Sequence, residues 1–238
     1  MSSKPYALRA SVYSAAVVLA TTAGLYLGHG RGGEISPILL HKGTFMPNDP
    51  DISNLIEVVV PAQARAVNAF WREAGPSKWF AKDPVFDAHF RTRFLAAHQA
   101  AANGQLSEWR KSAEGALALV ILLDQFPRNA FRGTERMYAT DQIARHIADE
   151  AIRKGHDLKL ENDMALFLYL PFGHSEAMAD QERSVALAER LGEPALSHAR
   201  HHRTIVQRFG RFPHRNPIVG REMKADEQRF LDEGGFAG

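Results

Sequence analysis

The sequence predicts an all-α protein built from antiparallel helix pairs. From Gln63 onward, apolar residues recur with helical spacing, and the connections between these segments are short. No two segments show the paired alternation that is typical of strands. The chain has 238 residues, of which 45% are hydrophobic and 24% are charged, so it can bury a sizeable core.

The first 60 residues are predicted to be an extension, and residues 61–238 the helical domain. Residues 12–27 are apolar and follow a basic start, whereas residues 28–51 are rich in Gly, Pro, His and Asn and indicate a linker. Three interpretations stay open, which are translation from Met46, an uncleaved membrane anchor and a cleaved signal peptide. We favour them in that order. We therefore expect a cytoplasmic protein that is anchored to a membrane only if the apolar segment is translated and retained.

The first helices are bounded by local signals. The helix QARAVNAFWREA should end at Gly75-Pro76, which is a stop signal. The next helix should begin at Asp83-Pro84, because Asp caps helices well and Pro suits the first helical position. Its apolar residues keep helical spacing and predict a buried stripe. They are Val85, Phe86, Phe90, Phe94 and Leu95.

The central helix is predicted from the segment AEGALALVILLDQF, which follows Ser112. Residues 117–123 are apolar on every side of a helix, which is typical of a helix at the centre of a bundle. A strand over the same residues is the alternative. The alanines before it and the lack of strand partners argue against that alternative.

The remaining helices follow from caps and breaks. One should begin at Thr140-Asp141 and end at Gly155, and the next should follow Glu161. Further helices should begin near Ser175 or Gly173, near Pro194 and near Ala225.

Three proline-containing breaks carry polar residues and predict a site. Pro127, Pro171 and Pro213 should each end a helix, because proline disfavours helical geometry in the residue before it. If these ends converge, they form one polar cleft in an apolar bundle. The predicted ligand-binding residues are Asp124, Gln125, Arg128, Asn129, Arg211, His214, Arg215 and Asn216. The catalytic candidates are His174, Glu176 and His202.

Arginine is concentrated near the end of the predicted domain. Residues 194–221 contain six arginines and four histidines but no Asp, Glu or Lys. Planar guanidinium groups pair with carboxylate and phosphate through two hydrogen bonds, so this window favours an anionic ligand. The alternative is structural, with the arginines paired to acidic side chains of neighbouring helices.

Other chemistries have little support. The chain has no cysteine, which excludes disulfides, thiolate metal sites and a cysteine nucleophile. His198 and His202 lie one helical turn apart and are a possible metal pair. No glutamate follows the first histidine as in zinc proteases, and acidic ligands would have to come from Glu176 or Asp180, so we expect no metal. We expect no cofactor, because no glycine-rich phosphate loop or dinucleotide motif is present. A net charge of only +2 argues against a nucleic-acid partner.

Three long motifs remain. They are LLDQFPRNAFRGTERMYATD, FLYLPFGHSE followed by DQERSV, and HRTIVQRFGRFPHRN with IVGRE. Together they resemble a bacterial family catalogued as domain of unknown function 924, over about residues 66–231. The resemblance implies an all-helical fold similar to tetratricopeptide-repeat domains and implies no activity. The chain departs from the family pattern at Gly173, where an acidic residue is usual, at MKAD after GRE, and at Arg72, where an aromatic is usual.

Three functional hypotheses follow. The leading one is binding of an anionic small molecule or an acidic peptide end in the polar cleft. The second is a hydrolase-like enzyme that uses His and Glu for acid-base chemistry and Arg to hold the substrate. The third is a purely structural or interaction scaffold. A water-accessible pocket lined by these residues would favour the first two, and fully buried, mutually paired side chains would favour the third.

Overall fold

A computed structural model of the chain describes residues 60–238, which form a helical domain without strands. This confirms the predicted all-α class. The predictions for the apolar segment 12–27, the linker 28–51 and a start at Met46 lie outside the described residues. Within the described part, no helix has the length and apolarity needed to cross a bilayer.

The described helices follow one another along the chain. They are α1 (Ala62–Ala74), α2 (Pro76–Trp79), α3 (Pro84–Ala102), α4 (Ala113–Val120), α5 (Phe126–Ala130), α6 (Asp141–Arg153), α7 (Asn162–Gly173), α8 (Met178–Glu189), α9 (Ala195–Phe209) and α10 (Ala225–Asp232). From α6 to α9, each helix packs against the next. Short connections make such neighbours antiparallel, as the sequence predicts.

Local capping determines where the early helices begin. The Asp83 side chain accepts hydrogen bonds from the backbone N–H groups of Val85 and Phe86 at 3.0 and 3.1 Å, and Pro84 is the first residue of α3. Ser112 caps α4 in the same way through Gly115 N–H. These side chains supply acceptors for N–H groups that have no partner within the helix.

The main hydrophobic core surrounds α4 and the turn that follows it. Leu117, Ile121 and Leu122 are fully buried. The ring of Trp71 in α1 packs edge-on against Phe167 in α7, with the ring centroids 5.3 Å apart. The segment that could have formed a strand is therefore the helical centre of the domain.

Pro127 does not end the central helix, contrary to the prediction. A π-helical turn over Ile121–Gln125 joins α4 to α5, and Phe126 N–H bonds to Ile121 O. This turn frees Leu122 O, which bonds to Nδ1 of His98 at 2.9 Å. Leu123 O would be paired to residue 127 in an α-helix, but proline has no N–H, and the Thr140 hydroxyl donates to it instead. The helix continues because distant side chains satisfy both carbonyl groups.

The other two proline breaks also differ from the prediction. Pro171 lies inside α7, which continues to Gly173. The end of α9 comes at Phe209, before Pro213, because Gly210 adopts the left-handed conformation with φ of 72°. Proline therefore marks none of the three ends, although polar residues do follow these helices.

Candidate functional site

A cleft of about 410 Å³ opens between the start of α6, the loop after α7 and the segment after α9. Its lining residues are Tyr138, Ala139, Asp141, Gln142, Arg145, His174, Ser175, Glu176, Arg215, Val219 and Arg221. Three of the residues predicted from the sequence, His174, Glu176 and Arg215, are among them. Polar side chains that follow α7 and α9 meet there.

His174 is oriented by a buried carboxylate. Its Nδ1 lies 2.9 Å from Oδ1 of Asp124, which belongs to the π-helical turn and is fully buried. Gln125 donates to the other carboxylate oxygen at 2.6 Å. Burial lowers the pKa of His174, as does the charge of Arg128, and together they outweigh the opposing effect of Asp124. The histidine is therefore neutral at neutral pH, with its proton on Nδ1.

Arg128 does not line the cleft, but it completes this buried charge network. It donates to both carboxylate oxygens of Asp141 at 2.8 and 3.0 Å, and its Nη1 lies 3.2 Å from Oδ1 of Asp124. Burial would raise the pKa of Asp124, but the charge of Arg128 and the hydrogen bond from His174 outweigh it and lower that pKa. Arg128 thus links two carboxylates and has little freedom to bind a ligand.

Arg215 is a less completely paired arginine in the cleft. Its Nη2 donates to the carbonyl oxygen of His174 at 2.9 Å, and its guanidinium lies 4.5 Å from the ring centroid of Tyr138. Its Nη1 is 3.8 Å from the nearest Asp141 oxygen, which is beyond hydrogen-bond distance. The side chain is only 11% exposed. Burial lowers the pKa of Arg215, and the nearby charge of Arg128 adds to this effect.

Glu176 connects the two loops that border the cleft. Arg221 donates to both of its oxygens at 2.7 and 2.9 Å, and the backbone N–H of Phe212 donates to it at 2.8 Å. Burial opposes ionisation, but the Arg221 hydrogen bonds outweigh it and lower the pKa of Glu176. Glu176 is therefore an ionised structural partner of Arg221 as well as part of the lining.

Several predicted site residues lie outside the cleft lining. Arg211 and the buried Asn216 both donate to Glu227 in α10. Gln125 and Asn129 are buried at the base of α5, where the Asn129 side chain bonds to Gln125 O. Glu227 and the turn itself therefore accept the hydrogen bonds that these side chains would otherwise donate to a ligand.

His202 and His214 pack into an aromatic cluster beside the cleft. The His202 ring lies 4.7 Å from the ring of Phe236, and the His214 ring lies 5.1 Å from the same ring. Neither belongs to the cleft lining. Over residues 60–238 no group of three or more His, Cys, Asp or Glu is arranged to hold a metal ion.

The structure also adds residues that sequence reasoning did not assign to the site. They are Tyr138, Asp141, Arg145 and Arg221. Arg221 lies in the arginine-rich window, which is a usable signal, whereas the sequence around Asp141 predicts only the start of a helix. Arg145 at the cleft rim pairs with Asp180 at 3.1 Å.

The structure shows the contacts at two of the positions that depart from the family pattern. A Cβ atom on Gly173 would lie 3.0 Å from the hydroxyl oxygen of Ser184, so a larger residue would require Ser184 to shift. Arg72 bonds to both carboxylate oxygens of Glu114 and also contacts Glu161. An ion pair therefore stands at position 72.

The buried histidines predict loss of stability in acid. Burial lowers the pKa of His202 to about 3 and that of His214 to about 4. Both values lie below the unfolded value of about 6.5, so the unfolded chain binds protons first as the pH falls. The neutral state of each histidine therefore contributes fully to the free energy of unfolding above about pH 6.5. Below that pH the contribution declines, by about 2 kcal/mol per histidine at about pH 5.

Denaturant unfolding at neutral and mildly acidic pH measures this effect. His214→Phe keeps an aromatic ring beside Phe236 and should remove the part of the pH dependence that His214 causes. His198→Gln, at an exposed position, is the matched control. Equal stability of the wild-type protein at both pH values would contradict the prediction.

Comparison with known proteins places this arrangement in a family. A family model described as bacterial protein of unknown function (DUF924) matches residues 67–235. The chain is also similar to a solved structure, a protein of unknown function, ATU0120, from Agrobacterium tumefaciens. The two share 55% identity with a TM-score of 0.72, over 73% of this chain and 98% of that chain. No curated protein matches the chain. The chain belongs to the DUF924 family of bacterial proteins.

Proposed function

We propose that the protein binds a small anionic ligand, through a phosphate or carboxylate group, in the cleft at Arg215 and His174. The observation that carries this proposal is the incomplete pairing of Arg215. Its Nη1 makes no hydrogen bond to a described residue, and the nearest carboxylate oxygen is 3.8 Å away. A confined guanidinium with a donor to spare favours an anion.

The surrounding charges support an anion over a cation. Asp141 is held by Arg128 and Glu176 is held by Arg221, each through two hydrogen bonds. These carboxylates therefore have less capacity to bind an incoming cation. The cleft volume of about 410 Å³ lies within the range of small-molecule sites and would also accept the carboxylate end of an acidic peptide.

Arg215→Gln should weaken the binding of such an anion strongly. We expect its affinity to fall by roughly 10- to 100-fold, because hydrogen bonds to charged groups contribute about 1.5–3 kcal/mol. Calorimetric titration with inorganic phosphate, phosphorylated metabolites, small carboxylates and acidic C-terminal peptides measures this. Arg200→Gln removes the same charge from an exposed position of α9 and should leave binding unchanged. Equal affinity in wild type and Arg215→Gln would contradict the proposal.

A hydrolase-like enzyme is the second candidate, and the Asp124–His174 pair favours it. A neutral histidine oriented through Nδ1 can accept a proton on Nε2 during a reaction. Ser175 is not placed as its nucleophile, because its hydroxyl donates to Asp180 at 2.6 Å. The nucleophile would then be water. Hydrolysis of ester or phosphoester substrates by the wild-type protein, lost in His174→Phe, would support this candidate.

A further inference from the structure

We infer that the ligand carries a hydrogen-bond donor next to its anionic group, as hydrogen phosphate and hydroxy acids do. The inference rests on the proposed anion site and specifies which anions it accepts. The geometry that carries it is the pairing of His174 with Asp124 beside Arg215.

The Asp124 contact determines which nitrogen of His174 carries the proton. A carboxylate only accepts hydrogen bonds, so Nδ1 at 2.9 Å from it must be the donor. In the neutral ring, Nε2 then presents a lone pair. No described residue donates to this nitrogen, and it is not among the buried polar atoms that lack a partner. It is therefore an acceptor in contact with solvent, on a residue that lines the cleft.

Arg215 lines the same cleft and contacts the backbone of His174. Its Nη2 donates to the backbone carbonyl of His174, so the guanidinium and the imidazole belong to neighbouring parts of one surface. Nη1 stays available as a donor within the cleft. A ligand that contacts both groups must offer negative oxygen to Arg215 and an O–H or N–H to His174.

The two carboxylates that line the cleft agree with this requirement. Asp141 and Glu176 also line the cleft, and although an arginine holds each of them, their oxygens can only accept hydrogen bonds. A fully deprotonated anion such as sulfate would bring its lone pairs against these acceptors and against Nε2. In the occupied cleft, Nε2 would lose its hydrogen bond to water and gain none in return, which weakens binding.

Two matched pairs of probes test the inference on the intact chain. Inorganic phosphate carries at least one proton at neutral pH, whereas sulfate has the same tetrahedral shape and none. Glycolate differs from acetate by a hydroxyl next to the carboxylate. In calorimetric titration, we expect the member of each pair that carries the donor to bind at least about 10-fold more tightly than the other member.

The His174→Phe variant provides the second measurement. It keeps a ring of similar size and removes the acceptor. The ratio of the phosphate affinity to the sulfate affinity should therefore fall towards one, while binding that depends on Arg215 persists. Equal affinity of the wild-type protein for both members of each pair, abolished by Arg215→Gln, would overturn the inference and leave the anion site intact. Absence of binding by all four probes would count against the anion site itself. The wild-type comparison does not depend on whether the variant folds.

Discussion

Asp124→Asn is expected to destabilise the protein strongly, by about 3–5 kcal/mol in free energy of unfolding, because it removes a buried charge from a paired network. The carboxylate is fully buried and is contacted by Gln125, His174 and Arg128 at 2.6, 2.9 and 3.2 Å. Asparagine has almost the same shape, but its amide group donates hydrogen bonds. It would place a donor against the donor of either Gln125 or His174.

Denaturant unfolding at neutral pH measures this effect. Asp226→Asn makes the same chemical change at an exposed position of α10 and should cost much less. Similar stability of both variants would show that the Asp124 charge contributes little to folding. In that case the carboxylate would be retained for the chemistry of His174 rather than for the core.

The same residue connects stability to the proposed site. Asp124 lies in the π-helical turn, and its contact with His174 joins the core to the cleft lining. A variant that keeps the fold but disturbs this contact would change the proton position on the imidazole. Measurements of binding in Asp124→Asn are therefore interpretable only alongside its stability.

Much of the fold could be predicted from the sequence, because local signals determine it. The Asp83-Pro84 pair begins α3 as expected, and Gly75 follows the end of α1. Both depend on residues within one helical turn of the boundary. The apolar surface of residues 117–123 likewise indicates burial without any knowledge of partners.

The helix ends near proline could not be predicted in the same way. Whether Pro127 breaks the helix depends on His98 and Thr140, which satisfy the carbonyl groups of Leu122 and Leu123. These partners are remote in sequence from the turn. Proline supplies a local preference, and tertiary contacts decide whether the helix continues.

The candidate site was predictable only in part for a related reason. His174, Glu176 and Arg215 follow the ends of α7 and α9, so the convergence of those ends brings them together. Arg211 and Asn216 have the same sequence signature but lie against Glu227. No pattern in the sequence indicates which arginine finds a carboxylate and which retains a donor for a ligand.

Arg128 illustrates this distinction, and its removal should have the second large effect. Arg128→Met leaves the buried Asp124 and the largely buried Asp141 without their shared cation. We expect a loss of about 3–5 kcal/mol in the free energy of unfolding, because each carboxylate would keep its charge in a poorly hydrated position. Arg229→Met, at an exposed position of α10, is the matched control and should have a small effect.

Comparison with Arg215 separates an architectural role from a binding role. Arg215→Gln leaves Asp141 paired with Arg128, so its effect on stability should be clearly smaller than that of Arg128→Met, while its effect on anion affinity should be large. The opposite result would be a stable Arg128→Met protein that no longer binds anions. It would assign the ligand to Arg128, because a guanidinium that the fold does not need is available to a ligand.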